Sequence, residues 1–292
     1  MPYRADLSLT VAIFLLCCPL PKHALFAQST SAASCTCENC GSAGRSYRDG
    51  RWFVSETANF RVCCEASDAI AVDLSRRAES LRAKLREQWL NESEGKDWTP
   101  KCQVILHSSR QSYSAAVGRG SDRTVGSSLV KIDNGQILSR RVDLVGDHVE
   151  YLTAALPHEL THIVLRDRFA LTPIPHWADE GTATLADTID KQERHRKDLR
   201  KALADGTTFS AASLVATDEL PRVDRWGTFY GESLSLTKFL VDRDSPVRFV
   251  DFVEAAASRG YDNALRDTYG IKNVAELDRE WRRHLSVAGD AL

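Results

Sequence analysis

Apolar residues recur along this chain first at the short spacing of strands and later at the longer spacing of helices. Trp52-Phe53-Val54 and Phe60-Arg61-Val62 read as short strands, and Cys102–Leu106 as a compact buried one. Two more strands are expected around Ser127–Lys131 and Arg141–Val145, with Asn134-Gly135 marking the turn between them. Ala69–Leu90 instead carries Ile70, Val72, Leu74, Leu81, Leu85 and Leu90 at helical spacing, without Pro or Gly. From about residue 146 the pattern is helical throughout, over 149–167, 177–204, 230–242, 246–257 and 274–287. Gly206, Gly260 and Gly270 stand near the ends of such stretches, where a left-handed residue is often needed. No internal repeat is visible. The expected fold class is α+β: an N-terminal sheet-bearing part, then a helical C-terminal part, with the active site in the cleft between them.

The N-terminus changes that picture. Arg4 supplies a positive charge, and Leu7–Leu20 a mostly apolar run too short to span a bilayer comfortably. Ala24-Leu25-Phe26-Ala27 offers a cleavage site before Gln28, although Leu25 is larger than the residue usual at its position. Residues 1–27 are therefore expected to be a signal peptide, leaving an exported protein (periplasm, cell envelope or extracellular) without a membrane span. An uncleaved membrane anchor is the alternative. Residues 28–50, rich in Ser, Ala, Gly and Cys, read as a Cys-rich linker, followed by an N-terminal α/β part over 51–145 and a helical part over 146–292.

Eight cysteines are present, two of them inside the leader. The other six are Cys35, Cys37, Cys40, Cys63, Cys64 and Cys102, an even number that in an oxidising compartment predicts two or three disulfides. A structural zinc site built on Cys37 and Cys40 is the rival reading, resting on a lone CxxC. Composition adds one exclusion. The hydrophobic fraction of 43% and charged fraction of 27% are those of a globular protein, and the net charge of −2 lacks the basic footprint that nucleic acid requires. The basic residues of Lys191–Lys201 are interleaved with acidic ones, as on a solvated helix face.

The chemistry concentrates in His158-Glu159-Leu160-Thr161-His162. Histidines at i and i+4 project from one face of a helix about one turn apart, so His158 and His162 can share a zinc ion. Glu159 is rotated about 100° from His158, which lets it reach a zinc-bound water as general base without binding the metal. Leu156, Leu160, Ile163 and Val164 form a core-facing stripe on the same segment. Pro157 requires either a helix that begins just before it or a kink. Thr161 is expected to bond locally. Catalytic zinc usually takes three protein ligands, and His176, Asp179 and Glu180 are the candidates downstream.

With Trp177, Glu180 and Gly181 the chain resembles the gluzincin metallopeptidases, and more closely their peptidase MA-like branch, which pairs HExxH with a second helix bearing Trp-x-x-Glu-Gly. The likeness runs from about residue 51 to the end, is strong over 155–187, and takes in Phe229–Ser233 and the terminal segment with Trp281. It implies a zincin-like fold, a zinc cofactor, a peptide or protein substrate, and Glu180 as third ligand. It also implies an oxyanion donor, for which Tyr230 is the candidate. Asp187, seven residues past Glu180, is placed to orient a ligand histidine, and Gly126–Lys131 to pair with extended peptide as an edge strand. An exported zinc metallopeptidase is the expected function. The alternatives are a catalytically silent zinc-site protein acting as a surface or assembly module, and a disulfide-stapled adhesion protein in which HExxH is accidental.

Overall fold

The computed structural model describes residues 9–14, 44–93, 95–146 and 155–288. Its N-terminal part is a seven-stranded sheet in the order β1-β6-β7-β5-β4-β3-β2. The strands are β1 (Leu9–Phe14), β2 (Arg45–Asp49), β3 (Trp52–Glu56), β4 (Phe60–Cys64), β5 (Cys102–His107), β6 (Gly126–Asp133) and β7 (Gln136–Val145). β4, β5 and β7 run parallel to their neighbours among themselves, and the remaining pairs are antiparallel. Parallel pairing needs a crossover, and helix α1 (Asp68–Leu90) supplies it between β4 and β5. Val62, Val104 and Val142 stand in register across three strands, all completely buried. Alternation along each strand then divides the sheet into an inner face toward the helices and an outer face.

Local chemistry explains these elements. Ser67 caps α1 by accepting from the Ile70 amide, and Asn91 ends it in the left-handed conformation. Asn134 and Gly135 both have positive φ, as the expected two-residue hairpin turn between β6 and β7 demands. The sheet also takes in Arg45–Asp49, from the stretch whose composition suggests a linker, and Leu9–Phe14, from the expected leader. The latter pairs along β6 from Ser127 to Ile132, so the edge expected to receive substrate is covered by the chain's own N-terminal backbone.

The helical part follows as α3 (Leu156–Arg168), α4 (His176–Leu185), α5 (Ile189–Ala204), α6 (Ala211–Val215), α7 (Trp226–Arg243), α8 (Pro246–Arg259), α9 (Tyr261–Tyr269) and α10 (Val274–Ala288). A short helix over Arg110–Val117 in the first part, and α9 in the second, are not marked by the apolar pattern. The stretch read as one helix over 177–204 is two, because α4 stops at Leu185 and Thr188 caps α5 by accepting from the Lys191 amide. One core joins both parts: Phe249 of α8 meets Trp89 of α1 and Trp177 of α4 edge-on, at 6.4 and 5.9 Å. No helix among the described residues is long and apolar enough to cross a membrane.

Cys63, Cys64 and Cys102 are free and buried. Neighbours on one strand, Cys63 and Cys64 face opposite sides of the sheet, and Cys102 is in register with Phe60, four positions from Cys64. That separation of about 13 Å is twice what a disulfide spans. Cys35, Cys37 and Cys40 lie outside the described residues.

Candidate metal centre

The α-helix α3 begins at Leu156, which puts Pro157 in the first turn, where its missing N–H costs nothing. Thr161 bonds locally, its hydroxyl donating to the Pro157 carbonyl at 2.8 Å. Every residue from His158 to Leu165 is buried, so this helix runs through the interior with its polar side chains enclosed. A buried polar group needs a partner, and the partners of these side chains reveal what they do.

Each histidine spends one ring nitrogen on an aspartate. His158 Nδ1 lies 3.2 Å from Asp187 Oδ2, and His162 Nδ1 lies 2.7 Å from Asp179 Oδ1. A carboxylate at Nδ1 fixes the tautomer with the proton there and leaves the Nε2 lone pair free to bind metal. Among the described residues neither Nε2 atom has a hydrogen-bond partner. They stand 3.6 and 4.0 Å from Glu180 Oε2, brought in by α4. Metal bonds of 2.0–2.1 Å in a tetrahedral site put ligand atoms about 3.4 Å apart, close to both separations. Burying charged groups without such a partner costs several kcal/mol per ion, so the donor set fits a divalent cation.

His158, His162 and Glu180 are the residues that converge; the other two third-ligand candidates do not join them. Asp179 is turned to His162 Nδ1 and also accepts from Arg166 Nη2 at 2.8 Å. His176 lines a separate cavity together with Arg166. Gly181 has a steric reason: a Cβ there would come within 2.2 Å of Thr237 Oγ1 and 2.5 Å of the Ser233 carbonyl oxygen. Only glycine lets α4 press this closely on α7, and that approach sets the depth of Glu180. Asp187 reaches His158 from the turn after α4 and not from two turns along a helix, and Lys191 Nζ holds its other oxygen at 2.9 Å.

Electrostatics follow these contacts. Burial works to lower the His158 pKa, but the Asp187 carboxylate overrides it and holds the ring up at about 9, so a metal ion would take the place of a proton at Nε2. Burial works to raise Asp179, yet His162 and Arg166 pull it down to about 2. Burial raises Glu159, opposed by the two imidazoles. Glu159 faces β6, where a Cβ on Gly126 would come within 2.8 Å of Glu159 Oε1. Gly126 is thus required for the close approach of sheet to helix, a demand with no local signature in the sequence. Tyr230, on α7, is completely enclosed; burial and the carboxylates of Glu180, Glu159 and Asp187 push its phenol pKa well up, so the hydroxyl keeps its proton. His195 of α5 stacks on the Tyr230 ring at 5.5 Å.

Two histidines of one helix and a glutamate of the next, backed by two aspartates, form a cluster that could hold one metal ion. A family model described as the Peptidase MA superfamily matches residues 136–287, and the chain belongs to that superfamily. The matched region begins with β7, so it includes every residue of the centre and the helices that carry them. A search of curated proteins gives no match to the chain.

Proposed function

We propose that this protein is an exported zinc-dependent metallopeptidase. The observation that carries the reading is the buried convergence of His158 Nε2, His162 Nε2 and the Glu180 carboxylate, beside a fourth buried group, Glu159, that is not part of the donor set. A site built only for structure has no use for that carboxylate.

Zinc held by His158, His162 and Glu180 would supply Lewis-acid activation of water and of the scissile carbonyl. Glu159 is the proton carrier. Its raised pKa suits a base that takes a proton from the attacking water and gives it to the leaving amine. Asp187 and Asp179 keep both imidazoles in the ligand tautomer. The Tyr230 hydroxyl, protonated at any physiological pH, is the donor to the oxyanion. A peptide pairs in extended form with β6, alongside Gly126 and Ser128, once removal of residues 1–27 has cleared Leu9–Phe14 from that edge.

The test is metal content and peptide-library cleavage on protein lacking residues 1–27, with Glu159→Gln as the control. The native protein is expected to carry one equivalent of zinc and cleave peptides, while Glu159→Gln keeps the zinc and loses about 10²- to 10⁴-fold in kcat. Equal turnover by both would remove Glu159 from the chemistry. Zinc without cleavage by the native protein would favour the silent binding module.

A further inference from the structure

Behind the metal centre lies a second cavity, of about 460 Å³, lined by the end of α3, the connection into α4, the segment after α6, and the junction of α8 with α9. Arg166 forms its inner wall. This residue is only 5% exposed, and among the described residues its one bond is from Nη2 to Asp179. Its Nε and Nη1 bond to no other described residue, and the side chain lines the cavity. A second donor, Tyr261, lines the same cavity. Tyr261 Oη accepts from Trp177 Nε1 at 3.0 Å, which leaves its own proton to give; burial pushes the phenol pKa to about 12, so that proton stays on. The remaining wall is largely apolar, from Ile174, Pro175 and Val215, and the acidic Asp218 sits at the exposed rim.

Guanidinium N–H groups that line a cavity are matched by a carboxylate, whose charge strengthens each hydrogen bond it accepts. The apolar wall asks for a hydrocarbon body, and Asp218 at the rim turns an anionic group inward toward Arg166. We propose that this cavity binds a small apolar carboxylate, held by Arg166 and Tyr261 at its acid end and by Ile174, Pro175 and Val215 along its body. Its source is either a free organic acid or the C-terminal residue of a peptide. The binding is independent of the peptidase reading, because no group in the cavity belongs to the metal donor set.

Calorimetric titration of the full chain tests it, using hexanoate against hexanamide for the free acid, and N-acetyl-leucine against N-acetyl-leucinamide for the peptide end. At least one acid is expected to bind ten times or more tighter than its amide, both before and after chelation of metal. The tighter of the two acids identifies the source. Ala257→Trp fills the cavity from its exposed rim without touching the Arg166–Asp179 bond. It should weaken the acid at least tenfold while metal content and thermal unfolding stay native. The proposal is overturned if acid and amide bind alike, if neither acid binds, or if Ala257→Trp binds like the native protein. Binding that vanishes on chelation would put the acid on the metal and equally overturn it.

Discussion

His158 and His107 are both buried, and both lean on a buried aspartate: His158 on Asp187 inside the metal centre, His107 on Asp143 at 2.7 Å on the outer side of the sheet. As histidine–carboxylate pairs they are nearly interchangeable. The difference lies at the other ring nitrogen. His107 Nδ1 meets Ser112 Oγ at 3.3 Å, so its hydrogen-bonding capacity is used up locally. Among the described residues His158 Nε2 has no hydrogen-bond partner, and it converges with the like-placed Nε2 of His162 and the Glu180 carboxylate. A histidine is therefore marked as a ligand by what its second nitrogen lacks, and by whether other unpartnered donors share the same point. His195 makes the complementary case: among the described residues neither of its nitrogens is bonded and no further metal-ligating group converges on it, and burial lowers its pKa to about 4.

Removing a histidine from each region is the most forceful way to break this comparison. His162→Ala should reduce bound metal to under about a tenth of an equivalent by atomic emission, because two ligands no longer close the site. Loss of base function in Glu159→Gln comes next, at about 10²- to 10⁴-fold in kcat with metal retained. If metal were lost along with activity, Glu159 would belong to the donor set after all.

Buried carboxylates sharpen the contrast. Asp179, bonded to an imidazole and a guanidinium, is drawn down to about 2, whereas Glu232 is driven up to about 7 by burial despite accepting from the Phe209 amide. For Glu232 the folded pKa exceeds the unfolded one, so its proton stabilises the fold below about pH 4.5, and that contribution disappears as pH rises toward 7. A gap of that size is worth on the order of 3 kcal/mol. Glu232→Gln should therefore flatten the stability profile between pH 4.5 and 7 and raise stability at pH 8, as read by urea unfolding. An unchanged slope would show Glu232 already ionised at low pH.

Smaller effects are expected around the rings themselves. Asp179→Asn should weaken metal binding by about 10- to 100-fold, since an amide orients His162 but supplies no charge. Measured by chelator competition, native affinity would mean that Arg166 and packing alone hold the ring. His107→Gln should cost about 1–3 kcal/mol in unfolding free energy and leave the metal stoichiometry at its native value. A fall in bound metal there would erase the distinction between the two regions.

Much of this was legible in the order of residues. His158 and His162 share a helix face by spacing alone, and the positive φ of the hairpin turn is inherent in Asn134-Gly135. The α1 helix needed only its apolar repeat and Ser67. The division at 186–188 was harder to see, because Thr188 competes with a helical pattern that continues on both sides of it. Helix α9 lacked a clear apolar stripe, with only Ala264 and Leu265 buried.

The sequence by itself determined the two histidines, the glutamate between them and the kind of element that carries them, because all of these depend on contacts within a few residues. Only the tertiary structure decided among His176, Asp179 and Glu180. They lie within five positions of one another, and which one turns toward the two histidine Nε2 atoms depends on how deeply α4 sinks against α7 at Gly181. The same packing turned Asp179 into a support for His162, brought Asp187 to His158, and pressed Gly126 against Glu159. Those relations join residues from separate elements, and no local spacing encodes the angle at which two elements meet.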